Sequence, residues 1–267
     1  MKKTNMYLLG LLILLSSCID IKSIKGKLSA FTQLKGTGPI TKKVYPGDFS
    51  SVEVSSGIKA EILRSDSEKV VVYAPSDIQE YISVENSAGN LHIHFKTGTN
   101  LQISKSNIDV KIYARDFNSI SASSSARIKV KDRFKQNKIS ITTSSSGIIE
   151  GDFEAKHMDL NSRSSGAYKG KIQALYVNAK AASSGYIFIT GRTKDFNGQV
   201  SSSGRIKAEE VHTEIANVAA SSSGSISILV SERAVGQASS IGHITFYKKG
   251  NPSILQKQKS GGSISIL

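Results

Sequence analysis

Serine is the side chain that could do the most chemistry in this sequence, because 44 of its 267 residues carry that hydroxyl. Nucleophilic catalysis needs one serine set beside one base. Here the hydroxyls come as short runs repeated along the chain, so no copy stands apart as a nucleophile. Ser56-Gly57-Ile58-Lys59 fits an S-x-x-K pattern, but the S-D-N and K-T-G companions of such acyl-transfer sites are missing, and the match is read as chance. Paired carboxylates are the next candidates, since glycan-cleaving β-helices work with clustered acids or calcium ligands at one level of the rod. Asp152 with Glu154, and Glu209 with Glu210, are the close pairs beyond Asn118; each falls near an expected turn, where a solvated role is the simpler reading. His92 and His94 alternate with Leu91, Ile93 and Phe95, so both project from the outer face of a strand, where a third ligand could complete a metal site. His157, His212 and His243 show no ligand spacing. The glycines follow serine runs rather than joining a strand to a helix, so no phosphate-binding loop is present. Neither a metal nor any other cofactor is expected.

The single cysteine, Cys18, excludes an internal disulfide framework and any multi-cysteine metal centre. It follows a basic start, Lys2 and Lys3, and an apolar run from Met6 to Leu15 that is too short to span a bilayer. Leu15-Ser16-Ser17-Cys18 resembles the bacterial lipobox. That resemblance implies cleavage between Ser17 and Cys18 and a thiol carrying diacylglycerol, with palmitate-class chains as the membrane anchor. Loss of Lys2 and Lys3 lowers the formal charge from +14 to +12. Residues 19–43 carry six lysines against one acid and lack sustained periodicity. They read as a tether with an end-to-end distance of roughly 25 to 30 Å, its lysines free to lie against anionic head groups.

The elements that must position these residues are strands. Val52, Val54, Ser56, Ile58, Ala60 and Ile62 share one strand parity, while Glu53, Lys59 and Glu61 take the other. Val70 to Tyr73 reads as a further strand, Ser87-Ala88-Gly89-Asn90 as a hairpin turn, and Asp77 to Tyr81 as at most one helical turn. No long, capped period of 3.6 occurs after Cys18, which excludes an α-helical domain.

From Asn118 a serine signature ending in a small residue recurs at Ala126, Gly147, Gly166, Gly185, Gly204, Gly224, Gly242 and Gly262, in steps of 21, 19, 19, 19, 20, 18 and 20. A fixed period near 19 with strand-like content predicts an all-β, right-handed parallel β-solenoid, its like residues stacked ~4.8 Å apart. Two places after each small residue stand Ile128, Ile149, Tyr168, Ile187, Ile206, Ile226, Ile244 and Ile264. Six places before it stand Ile120, Ile141, Leu160, Ala179, Gly198, Val218, Gly236 and Gln256, a column that weakens towards the C-terminus. Even offsets should therefore face inward. The same parity puts Ser124, Ser145, Ser164, Ser183, Ser202, Ser222, Ser240 and Ser260 in a structural column, hydrogen-bonded inside, with glycine supplying positive φ at the corner. The expected organisation is a signal peptide (1–17), lipidated cysteine and flexible tether (18–43), an N-terminal strand-rich region (44–117) and the solenoid (118–267).

Three segments bring a family into view: Phe49-Ser50-Ser51-Val52-Glu53-Val54-Ser55-Ser56-Gly57-Ile58, Gly89-Asn90-Leu91-His92-Ile93, and Val110-Lys111-Ile112-Tyr113 leading into Phe117 to Ala126. Together with the later serine-glycine repeats they resemble the autotransporter-adhesin head domain called the GIN domain, over about residues 45 to 267. The resemblance implies a β-solenoid at the surface of a bacterial envelope with no established chemistry. The repeats run to Leu267, so the stretch holds no room for a membrane barrel, and Cys18 is the expected anchor.

Charge supplies the remaining functional cue. From Asn118 onward 20 lysines and arginines face 10 acids. Such an excess attracts polyanions. It also protects exposed strand edges, a role that suits Lys248, Lys249, Lys257 and Lys259. Aromatic residues do not interleave with the basic ones, which argues against nucleic acid. The expectation is a non-catalytic, adhesin-like or envelope-organising lipoprotein whose partners are the membrane, through its anchor, and an acidic glycan or another envelope component. The competing expectation is a glycan-active β-helix enzyme, a polysaccharide lyase or hydrolase. Ile19 in place of aspartate after Cys18 favours the outer membrane, on its periplasmic or its surface face.

Overall fold

The computed structural model describes residues 36–97 and 107–267. Ser17, Cys18, the expected signal peptide and most of the expected tether lie outside the described residues. Strands β1 (Ile40–Pro46), β2 (Ser51–Val54), β3 (Lys59–Arg64), β4 (Lys69–Pro75), β5 (Ile82–Ser87), β6 (Asn90–Phe95) and β7 (Asp109–Ala114) form the N-terminal part. The repeats supply β8 (Ser119–Ala122), β9 (Arg127–Val130), β10 (Phe134–Thr143), β11 (Ile148–Glu150), β12 (Phe153–Arg163) and β13 (Ala167–Ala182). They continue through β14 (Tyr186–Val200), β15 (Arg205–Ala220), β16 (Ser225–Ala238), β17 (His243–Lys248), β18 (Ser253–Gln258) and β19 (Ser263–Ile266). Among the described residues the only helical element is a 3₁₀ turn at Gln79–Tyr81, inside the span where the sequence allowed one.

The chain is a β-solenoid with rungs of about 19 residues. Ile120, Ile141, Leu160, Ala179, Gly198, Val218, Gly236 and Gln256 lie in register from rung to rung in parallel pairing. On the opposite wall Ile128, Ile149, Tyr168, Ile187, Ile206, Ile226, Ile244 and Ile264 are aligned in the same way. Each of β13, β14 and β15 bends round a corner and serves both walls. The longer step between Gly204 and Gly224 carries its extra residue as an irregularity between Lys207 and Glu210.

The N-terminal part stacks out of chain order. β2 lies between β8 and β6, and β3 lies between β9 and β7, all parallel, so a later segment of chain forms the outer level. Antiparallel strands then finish that end: β5 beside β6 with the expected turn at Ala88-Gly89, and β4 beside β7 followed by β1. This corrects the tether boundary. Residues 40–43 pair with β4, and the Asp77 carboxylate accepts the Thr37 and Gly38 amides at 3.0 Å, so the body begins before residue 44.

The inner columns are buried as their parity predicts as far as Gly236 and Ile244; at the C-terminal rung Ile264 is half-buried and Gln256, expected inside, is exposed, because no further rung covers that end. The column that weakens is filled from its neighbours. A Cβ on Gly198 would meet Phe196 Cε1 at 2.8 Å, and one on Gly236 would meet Phe246 Cε2 at 2.8 Å. Large rings therefore occupy the space that the glycines leave, which keeps the interior at native density.

The serine column is the main correction. Ser124, Ser145, Ser164, Ser183, Ser202, Ser222, Ser240 and Ser260 are exposed. They hold φ between 47° and 49°, and the following residue in each run is also left-handed. The amide of the small residue donates to the carbonyl three places back, as from Gly204 to Ser201 at 2.9 Å, which closes a tight turn with two left-handed central residues. Alternation cannot pass through such a turn, because two residues are spent on reversing the chain. Serine is small and tolerates that conformation, while backbone bonds between rungs, such as Ser184 N to Ser202 O at 3.0 Å, hold it in place. The glycines have another duty. A Cβ at Gly185 would collide with the Ser162 carbonyl of the preceding rung, so glycine is needed there for close approach and not for positive φ. The buried hydroxyl pair sits two places earlier, where Thr143 Oγ1 and Ser162 Oγ share a hydrogen bond of 2.7 Å.

Candidate functional site

The residues singled out for catalysis are scattered, and most have structural partners. Asp152 accepts the Lys171 amide at 2.7 Å. Glu154 pairs with Lys135 at 2.9 Å, and that hydrogen bond holds its carboxyl below the ordinary range. Glu209 accepts a hydrogen bond from Ser227. Ser56 lies in a turn at φ 58°. His92 and His94 do project from the same outer face of β6, and their rings stack at 4.2 Å. His92 Nε2 lies 3.2 Å from Ser55 Oγ, and His94 Nε2 lies 3.3 Å from Glu85 Oε1. Among the described residues no three side chains of metal-ligating type are gathered to hold an ion.

The concave surface is on the outer walls. One groove, of about 630 Å³, runs along a corner of the rod where β10, β12, β13, β14, β15 and β16 pass. Register puts Lys156 and Lys194 in one column with Leu175 between them, and Arg192 on the same strand as Lys194. The groove lining holds four Lys or Arg, Lys135, Lys156, Arg192 and Lys194, against Glu154 and Glu214. Lys135 is already spent on Glu154. Gln136 also lines it, and its side-chain nitrogen and oxygen are shielded from solvent without a hydrogen-bond partner. A buried amide left unpaired is unusual in a folded chain.

A second groove, of about 850 Å³, lies on the wall carrying the weakening inner column. Its outward residues form two lines: Ser140, Asp159, Asn178, Asn197 and Asn217, and beside them Thr142, Asn161, Lys180 and Gln199. Asn178 donates to Asp159 at 3.0 Å, and Asn197 donates to Asn178 at 3.4 Å. The Asn178 amide, and then Lys138, hold the Asp159 carboxyl below its ordinary range.

Neither groove was named from the sequence. The signal was present in the outward offsets, since Asp159, Asn178, Asn197 and Asn217 recur at steps of 19, 19 and 20. The lysines that the sequence assigned to terminal edges, Lys248, Lys249, Lys257 and Lys259, are exposed near β17 to β19.

Comparison with known proteins agrees with this architecture. The family model described as "Putative auto-transporter adhesin, head GIN domain" matches residues 48–252. A structure of a putative adhesin from Parabacteroides merdae superposes with a TM-score of 0.81 at 18% identity, covering 88% of this chain and 99% of that one. A structure from Parabacteroides distasonis named a putative lipid binding protein gives 0.75 at 22% identity, covering 88% of this chain and 100% of that one. At these identities the likeness shows the fold. Among curated proteins nothing matches the sequence.

Proposed function

The chain belongs to the family of the auto-transporter adhesin head GIN domain, and from that premise we propose that it is a non-catalytic, adhesin-like envelope lipoprotein that binds acidic glycans along its basic corner groove. The family and the neighbouring structures are described as adhesins or as lipid binding, which points to the cell envelope or surface. The observation that carries the reading is the placement of Lys156 and, two rungs on, Arg192 and Lys194 along one groove, about 10 Å from end to end. Sulfate or carboxylate groups along a polymer would meet these cations in turn. The lyase or hydrolase alternative is disfavoured because Asp152 and Glu154 are committed to Lys171 and Lys135.

Reversing the charge with Lys156→Glu and Lys194→Glu together should lower affinity for an acidic polysaccharide by more than about tenfold at low salt. Reversing Lys207 on the other wall should have a small effect. Equal losses from both would mean that net charge alone attracts the polymer and that the groove is not a site.

The anchor belongs to the same proposal. Cys18 is the lipid acceptor, the membrane is the first partner, and the outer membrane is the expected address. Cys18→Ala should abolish labelling by a fatty-acid probe and release the protein from membranes. Labelling that survives the substitution would show that Cys18 is not the lipid acceptor.

A further inference from the structure

We propose that the wall carrying Asp159, Asn178, Asn197 and Asn217 is a second binding site, for an extended, uncharged β-1,4-linked glycan. The inference rests on the adhesin-like reading above and adds a ligand class that the basic corner cannot explain. Charge is the first argument. Of the residues lining the groove only Asp159 and Lys180 are ionic, and they cancel, although the whole chain is +14. An acidic polymer has no reason to prefer this wall, and a neutral one meets no cost there.

Chemistry of the lining is the second argument. A sugar hydroxyl both donates and accepts, and a side-chain amide offers both partners in one plane. Asn161, Gln199, Asn217 and Gln237 have no protein partner for their amides among the described residues. Asn178 is already oriented, since it donates to Asp159 and accepts from Asn197. Such a fixed ladder loses little side-chain freedom when a ligand arrives.

Repeat is the third. The lining runs through rungs from Ser140 to Gln237, a length of about 24 Å. A pyranose in an extended β-1,4 chain advances by little more than the spacing of one rung, so successive sugars would meet successive amides. Tyr176 stands two residues before Asn178 on the same strand, 44% exposed and stacked on His157 at 4.9 Å. It supplies the apolar surface that the C–H groups of a sugar ring pack upon.

The test uses the full chain in a detergent that contains no sugar, with cellohexaose as the probe. Wild type should bind it weakly, with little dependence on salt. Asn178→Ala with Asn197→Ala should weaken binding by about tenfold or more, as should Tyr176→Ala. These residues are exposed, and unchanged thermal unfolding would show that the variants keep the fold. Both variants should still bind an acidic polysaccharide, because Lys156, Arg192 and Lys194 are untouched. Absence of cellohexaose binding by wild type overturns this inference and leaves the corner groove standing. Binding that neither variant disturbs overturns the assignment to this wall. Loss of both ligands together would show that the two grooves are not separate sites.

Discussion

Replacing Gly204 with valine is expected to cost more than about 4 kcal/mol or to prevent folding altogether. Its Cβ would lie 2.5 Å from the Ala181 carbonyl carbon and closer still to the oxygen, and backbone cannot move aside as the tip of a side chain can. Ala181 belongs to the preceding rung, whose neighbouring Ala182 already carries the turn at Ser183-Ser184. Pushing one rung away therefore breaks the hydrogen bonds of its neighbours, and a solenoid holds together only through such nearest-neighbour contacts. The adjacent Ser203 gives the control. It holds φ 61° and is exposed, so Ser203→Gly relieves a left-handed backbone while loosening the unfolded chain, and stability should change by less than about 1 kcal/mol. Thermal or urea unfolding of the two variants measures both. A valine at 204 that unfolds with wild type would mean that the rungs are not packed this closely.

Phe196→Ala is expected to destabilise by about 3 to 5 kcal/mol. The ring is 1% exposed and fills the space beside Gly198, where an added Cβ would also meet Val218 Cγ1 at 3.1 Å and Ile226 Cδ1 at 3.4 Å. Removing it leaves a void bounded by three rungs that cannot collapse independently. The smaller change Phe196→Leu should cost less, and adding Gly198→Ala should recover part of that cost, because the new methyl enters the vacated space. A recovery of this kind is a non-additivity between touching residues. Strictly additive losses in the double variant would show that ring and glycine do not compensate one another.

The architecture was legible because a repeat multiplies a weak signal. One isoleucine two places after a glycine says little, whereas Ile128, Ile149, Ile187, Ile206, Ile226 and Ile244 at one offset can only be a wall of the core. The column that runs through Gly198 and Gly236 lies inside up to Gly236 and fails at exposed Gln256, and its filling by Phe196 and Phe246 comes from different offsets that only the fold assigns. The serine assignment failed for a specific reason. Period-two parity was carried through Ser202-Ser203, where the chain reverses and both residues turn outward. At the N-terminal end, β6 stacks outside β2 although it follows it in the chain, and no local pattern encodes that exchange. Grooves were the least legible feature. Lys156 and Lys194 become neighbours only after two turns of the solenoid, and the basic excess that the sequence shows is shared with lysines all over the rod.

If acidic glycan is held at the basic corner of the rod, as proposed, the lysines there are covered in the complex. Amine acylation of the full chain, read by mass spectrometry with and without an acidic polysaccharide, tests that placement most directly. Lys156 and Lys194 should be protected strongly, while Lys59, Lys129 and Lys207 on the wall of β3, β9 and β15 should react as before. Uniform protection of all five lysines, or protection confined to Lys59, Lys129 and Lys207, would contradict it.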